Sequence, residues 1–296
     1  MTYQQFAEYL SNELTLFLEG DVHAEIHSSL KNNGLTRLGV TICDPRINIS
    51  PTIYLEDFYK QHQDGTNLLD IIQSLIAIYE DVRFDCSWQL EEFYDFNAIQ
   101  HKIAYKIIHK KDNAQLLQDV PHVPFHDLAV VFYLLMELSP NGLGTVLITN
   151  DMADFWEITA AELYETAAKN TPLLLPVEFK PMRLAVYEML GTSNSYDDYE
   201  DNHMYVLTNS LHQFGAASIL YNNVLEFIAN ELRDDYYILP SSIHEVIILP
   251  KRYSPSPEEL NQMIIDINET QVAVDEVLSN HAYYYSQLHK SLFLTH

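Results

Sequence analysis

The chain has 296 residues, 47% of them hydrophobic, enough to bury a substantial core and against disorder. Its 42 acidic residues outnumber 16 basic ones for a formal charge of −26, which argues against direct nucleic-acid binding and against an anionic membrane surface. Two cysteines, Cys43 and Cys86, make no disulfide framework, and neither a signal peptide nor a bilayer-spanning apolar run is visible, so a cytoplasmic setting is expected.

Thr2 with Gln5 forms a capping-box pattern, and Phe6, Leu10, Leu14 and Phe17 follow at helical spacing. Val22, Ala24 and Ile26 alternate with His23, Glu25 and His27. Asn32-Asn33-Gly34 is a turn signal, and Leu38, Val40 and Ile42 alternate after it, so Asp21 to Asp44 reads as a β-hairpin. Ser50-Pro51 has helix-start chemistry, which predicts a helix over Thr52–Gln63. Leu68, Ile71, Ile72, Leu75 and Tyr79 give a clean helical stripe. A further helix is expected from about Glu91 to Lys110, with Ile99, Ile103, Ile107 and Ile108 inward.

Periodicity stops around Asp112–Pro124. The run Leu128–Met136 (LAVVFYLLM) predicts a strand buried on both faces, with Gly144–Asn150 (GTVLITN) as its antiparallel partner across Pro140-Asn141-Gly142. Thr159 with Glu162 opens a helix ending near Lys169 or Asn170, before Pro172, and Arg183–Leu190 predicts a short helix. Asn194–His203 is the most acidic stretch and is expected to be a mobile loop. Met204–Asn209 (MYVLTN) repeats the earlier pattern of an apolar run ending in Thr-Asn, with a helix expected over Gly215–Leu232. Tyr236–Leu239 and Ile243–Leu249 read as strands joined at Pro240-Ser241-Ser242. Ser256-Pro257-Glu258-Glu259 starts a helix with Leu260, Met263, Ile264 and Ile267 inward, and the tail from Val272 is ambiguous. The fold class is α+β: N-terminal helices with a β-hairpin over residues 1–115, and a mostly antiparallel sheet flanked by helices over 116–296, as two parts or one continuous domain.

No motif announces a chemistry. Ser241, Ser242, His244 and Glu245 put a hydroxyl, an imidazole and a carboxylate in one connection, the makings of a hydrolase site. In an extended segment, however, 242 and 244 share one face while 245 points to the other, and a polar strand connection has the same composition. His122, His126 and Asp127 invite a metal reading, which Pro124 disfavours; His101, Tyr105 and His109 share a face only on a helix, and lysines follow them. No metal or cofactor is expected, and no glycine-rich phosphate loop occurs. Asn150 and Asn209 end apolar runs, where they could hold a ligand or cap the next element. Tyr196, Tyr199, Tyr236 and Tyr237, flanked by carboxylates, have interface composition.

The strings SPTIYLEDFY (Ser50–Tyr59), HDLAVVFYLL (His126–Leu135), LTNSLHQFGAASILY (Leu207–Tyr221), LPSSIHEVIILP (Leu239–Pro250) and INETQVAVDEVLS (Ile267–Ser279) resemble an uncharacterised bacterial family, a domain-of-unknown-function group of Firmicutes often carried near mobile elements. The resemblance implies a bacterial cytosolic protein and carries no catalytic residues over. The leading expectation is a non-enzymatic acidic module that binds a protein partner. The alternatives are an acidic nucleic-acid mimic that blocks a basic nucleic-acid-binding enzyme, and a hydrolase using Ser241 or Ser242 with His244. A cavity lined by matched acid–base groups would argue against the first.

Overall fold

The computed structural model describes residues 1–46, 50–82, 93–139, 142–191 and 203–295. Helix α1 (Tyr3–Phe17) opens on the expected capping box, with Thr2 Oγ1 accepting from Gln5 N–H and Gln5 Oε1 accepting from Thr2 N–H. Strands β1 (His23–Leu30) and β2 (Thr36–Cys43) form the expected hairpin, in register from His23 opposite Cys43 to Leu30 opposite Thr36. Strand β3 (Thr52–Tyr54) adds to the far edge of β2, and helix α2 (Glu56–Gln63) begins only after it. The helix expected from Thr52 starts late because the β-branched and aromatic Thr52, Ile53 and Tyr54 complete a sheet instead. Helix α3 (Leu68–Val82) buries Ile71, Ile72, Leu75 and Tyr79 against Phe6, Leu10 and Leu14 of α1 and against Ala24, Val40 and Ile42 of the hairpin.

The helix expected over Glu91–Lys110 does not continue through it: from Ile103 the chain is a strand. Among the described residues, Phe93, Tyr94 and α4 (Phe96–Ile99) are α-helical there; a 3-10 turn follows, then β4 (Ile103–His109). The isoleucines are inward as expected, but on both faces: Ile103, Tyr105 and Ile107 join the main core, while Ala104, Lys106 and Ile108 face the other way. After α5 (Leu116–Asp119) and β5 (His122–Phe125), β6 (Leu128–Ser139) is the predicted strand, with every residue from Leu128 to Leu135 buried. It pairs with β4 on one edge and with β5 and β7 (Gly142–Leu147) on the other. The expected division at residue 115 cuts through this sheet, since β4 lies before it and β6 after it.

Helix α6 (Asn150–Phe155) precedes α7 (Ala160–Leu174), which starts on the predicted Thr159–Glu162 capping box but runs past Pro172. Thr171 sustains that last turn: its Oγ1 donates to Ala167 O at 2.6 Å and accepts from Tyr105 N–H of β4. Strand β8 (Val177–Pro181), helix α8 (Met182–Leu190) and β9 (Tyr205–Asn209) follow; the acidic loop expected over 194–203 lies almost wholly outside the described residues. Gly215–Leu220 is a 3-10 segment, and α9 spans only Val224–Leu232, because Asn223 between them takes a left-handed φ of 65°.

Strands β10 (Tyr236–Leu239) and β11 (Val246–Pro250) pair antiparallel, and α10 (Pro257–Thr270) opens on its predicted capping box at Ser256. Leu260 and Ile264 are buried as expected, whereas Met263 and Ile267 are exposed. The ambiguous tail is a hairpin, β12 (Tyr283–Ser286) and β13 (Ser291–Leu294). The third sheet runs β13-β12-β10-β11-β9-β8, wholly antiparallel. One face, with Tyr236, Ile238, Val246 and Tyr283, packs into the main core; the other, with Tyr237, Leu239 and Leu249, receives Leu260 and Ile264 of α10.

The N-terminal core shares no residue with the main one. The hairpin tip joins them. Asn33 donates through Nδ2 to the carbonyls of Val274 (2.8 Å) and Val277 (2.7 Å), its own N–H donates to Asn113 Oδ1, and Arg37 pairs with Asp275 at 2.8 Å. None of the described helices is long and apolar enough to cross a membrane.

Candidate functional site

A cavity of about 640 Å³ opens between the end of β4, the β5–β6 turn and the segment leading into β12. Asp127 lies in that tight turn, where Phe125 faces Leu128 and His126 takes a left-handed φ of 53°. The Lys110 N–H donates to the Asp127 carbonyl at 2.9 Å, so the backbone that carries this carboxylate is pinned to β4. The carboxylate itself accepts from two buried hydroxyls, Tyr283 on Oδ1 and Ser279 on Oδ2. Burial, with the Asp127 charge beside it, pushes the Tyr283 phenol well above its usual range, so it stays a donor.

Two imidazoles stand just beyond hydrogen-bond range of the same oxygen, His281 Nδ1 at 3.7 Å and His109 Nε2 at 3.9 Å. His109 is oriented from behind by Asp112, whose Oδ2 lies 2.6 Å from Nδ1. A carboxylate acceptor on Nδ1 places the proton there and leaves Nε2 as the basic nitrogen facing the cavity. Lys110 and Lys111 line the mouth and make no ion pair among the described residues. The arrangement is thus a carboxylate-oriented base beside a second carboxylate, with cations at the entrance, on a chain that is otherwise strongly acidic.

The Pro240–Glu245 connection serves this site as scaffold. The Leu278 and Ser279 N–H groups donate to the carbonyls of Ser241 and Pro240, and Ile243 N–H donates to Glu276 O at 2.8 Å. Ser242 Oγ accepts from the backbone N–H of His244 and makes no hydrogen bond to its imidazole. The His244 ring instead accepts from Phe214 N–H through Nδ1, stacks on the Phe214 ring and turns Nε2 toward Glu276 Oε1 at 3.6 Å. Ser241, Ser242, His244 and Glu245 are adjacent but do not converge as a nucleophile, base and orienting acid.

The repeated Thr-Asn endings have different fates. Thr149 is the N-cap of α6, and Asn150 ties Nδ2 to the Gln118 carbonyl. Asn209 is fully buried and closes its own turn, accepting from Leu211 and Gln213 N–H and donating to Gln213 O. Tyr236 and Tyr237 are buried, the first with its hydroxyl on Leu225 O, which corrects their expected place on an open binding surface: alternate faces of a sheet covered on both sides enclose them. Tyr196 and Tyr199 lie outside the described residues. Of the histidines considered for a metal, His122 bonds Val120 O, His126 shapes the turn, and His101, Tyr105 and His109 do not form a helical face. His109 and Asp127 were visible as types, but their meeting with Ser279, His281 and Tyr283 spans more than 150 residues and left no local spacing to read.

A second concavity, of about 480 Å³, is lined by Phe93, Tyr94, Val146, Met152, Phe155 and Trp156 with Asp151. Tyr94 and Phe155 are more than half exposed and pack on each other, and Trp156 Nε1 donates to Phe93 O.

No curated protein and no solved structure matches the chain. The sequence model of one family, a family of unknown function (DUF5688), matches residues 3–287 and so takes in both cores and the cavity between the two larger sheets. The chain belongs to this family.

Proposed function

We propose that the chain binds a small anionic molecule in the Asp127 cavity and that the Asp112–His109 pair accepts a proton there. The observation that carries this reading is the convergence, in one 640 Å³ cavity, of a carboxylate-oriented imidazole with two lysines that make no ion pair among the described residues. Lys110 and Lys111 supply charge at the entrance, and His281 and Asn280 supply hydrogen-bonding edges. Asp127, held by Tyr283 and Ser279, sets a second carboxylate beside His109. Titration calorimetry with inorganic phosphate and with succinate tests the binding. At least one is expected to bind the wild type and to lose most of its affinity in Lys110→Ala/Lys111→Ala. Equal affinity in the double variant, or no binding of either anion, defeats the reading.

A second reading is favoured by the aromatic groove at Tyr94, Phe155 and Trp156. Large, fixed aromatic rings with Met152 have the composition of a protein-binding hot spot. Asp95, Asp151, Asp154 and Glu157 nearby, and the net charge of −26, suit a partner segment with apolar and basic side chains. This is the expected protein-binding module, moved from the C-terminal tyrosines to another face. Phe155→Ala should abolish capture of such a partner, and retention in that variant counts against it. The nucleic-acid-mimic form of this reading draws only on the overall charge.

A further inference from the structure

The β1–β2 hairpin carries its polar side chains on the face opposite its core. Positions 23, 25 and 27 of β1 share that face, and the register sets Cys43 directly across from His23 and Gly39 across from His27. The ligand atoms of His23, Glu25 and Cys43 all lie within 4.8 Å of one another. We propose that these three residues form a binding site for a zinc-like divalent cation.

Four observations carry it. His23 Nε2 lies 3.1 Å from Glu25 Oε1, so the two ligand atoms already face each other and need to part only slightly to admit one ion between them. In a tetrahedral zinc site, metal–ligand distances of about 2.0–2.3 Å put ligand atoms roughly 3.3–3.8 Å apart, so the sulfur needs only a small side-chain adjustment to close the set. His23 Nδ1 lies 3.4 Å from the Asp21 carbonyl, an acceptor that places the ring proton on Nδ1 and leaves the Nε2 lone pair aimed at the other two groups. On the far side of Glu25, His27 Nε2 stands 3.5 Å from Oε2, where it holds the carboxylate in position or enters as a fourth ligand.

The donor set selects the metal class. A thiolate and an imidazole with one carboxylate suit zinc, cobalt or copper and are poor ligands for calcium or magnesium, which take oxygen. The frame is rigid, because eight residue pairs fix the hairpin and the N-terminal core backs it. Three protein ligands on an exposed face leave room for water or a partner's side chain on the ion.

Titration of the full chain with Zn2+ against a chromophoric chelator tests the proposal, with Co2+ as a spectroscopic probe. One Zn2+ per chain is expected, together with a thiolate-to-cobalt charge-transfer band. Cys43→Ser and His23→Gln should each weaken Zn2+ at least tenfold, and Cys43→Ser should remove the band while Cys86→Ser keeps it. Circular dichroism confirms that each variant is folded. Absence of stoichiometric Zn2+, unchanged affinity in folded Cys43→Ser, or a band that follows Cys86 overturns the assignment.

Discussion

The Lys106 ammonium lies 4.4 Å from the centroid of the Phe214 ring, and no carboxylate pairs with it among the described residues. Lys106 sits mid-strand in β4, on the face that also carries Ala104 and Ile108. Burial pushes its pKa down to about 8 from 10.5, and the Lys31 charge adds to the shift. The ring face returns part of the lost hydration, typically about 0.5–2 kcal/mol, but cannot replace a counter-ion. Between pH 8 and 10.5 the unfolded chain holds a proton that the folded chain lacks, so stability rises with pH across that window. Lys106→Met is expected to stabilise the fold at pH 7 by about 1–3 kcal/mol in urea unfolding and to flatten the rise. A destabilised variant would mean that the charge itself is needed where it stands.

His244, which stacks on the same Phe214 ring, has a carboxylate near it as well as the lysine. Burial lowers its pKa, Glu276 opposes that shift, and the Lys106 charge adds to it. The folded chain therefore keeps the ring neutral where the unfolded chain has begun to charge. Stability present above the ordinary value of 6.5 is lost as the pH falls through 6.5 toward the folded value. His244→Gln, whose side-chain oxygen can still accept from Phe214 N–H, should show a shallower acid loss. Lys106→Met should move the His244 titration upward in NMR. An unmoved titration in Lys106→Met would separate the two groups.

Glu245 carries the reverse sign. Burial, and then Glu276, raise its carboxyl pKa. Charging it in the fold is disfavoured, so stability falls as the pH rises from 4.5 through the raised value. Glu245→Gln is expected to stabilise at pH 7 and to be neutral or worse at pH 4, as thermal unfolding at the two values will read.

Local chemistry made most elements legible. The three capping boxes at Thr2, Thr159 and Ser256 mark helix starts in the sequence and in the structure alike, because each satisfies backbone donors with residues three apart. For the β6 run a buried helix is the rival reading, and the Pro140-Asn141-Gly142 turn with the apolar run after it decides for a strand; the structure buries Leu128 to Leu135 in one. Residues 103–109 misled because Ile103 and Ile107 are four apart, a spacing that fits one helix face and also one strand face. The cavity was not legible at all. Asp127 gains its meaning from Ser279 and Tyr283, and that meeting is made by tertiary pairing through the Pro240–Ile243 connection.

Gly215 marks the tightest backbone approach near His244. A Cβ there would stand 2.1 Å from Thr208 Oγ1, 2.5 Å from the His244 carbonyl and 2.7 Å from Asn209 N. Two of these atoms are backbone, and Thr208 Oγ1 is itself held by its hydrogen bond to His244 O at 2.8 Å. No rotation relieves the contact, so Gly215→Ala should cost about 2 kcal/mol or more, near the upper range for overpacking. Thr208→Ser in the same background leaves the hydroxyl in place and should rescue nothing; Thr208→Ala/Gly215→Ala should recover only the part due to Oγ1. A Gly215→Ala midpoint equal to wild type in urea would show that the 3-10 segment can slide.

Asn33 tests how the N-terminal core is coupled to the rest. Its φ of 59° is one that asparagine tolerates and alanine resists by about 1–2 kcal/mol. Its side chain also bonds Val274 O, Val277 O and Asn113 across the junction. Asn33→Gly keeps the backbone conformation and removes only the side-chain bonds, while Asn33→Ala removes both. If the tip is a clasp, Asn33→Gly should speed hydrogen exchange in residues 272–279 and at the hairpin tip, leave β6 protected, and leave the helix α1 amides unchanged. Asn33→Ala should add a global loss of about 1 kcal/mol or more to the same local pattern. Since residues 277–279 also wall the Asp127 cavity, anion binding there should weaken in Asn33→Gly in step with the faster exchange. Exchange that stays at the wild-type rate in both variants would mean that the Arg37–Asp275 pair and the bond from the residue 33 backbone N–H to Asn113 Oδ1 hold the junction without this side chain.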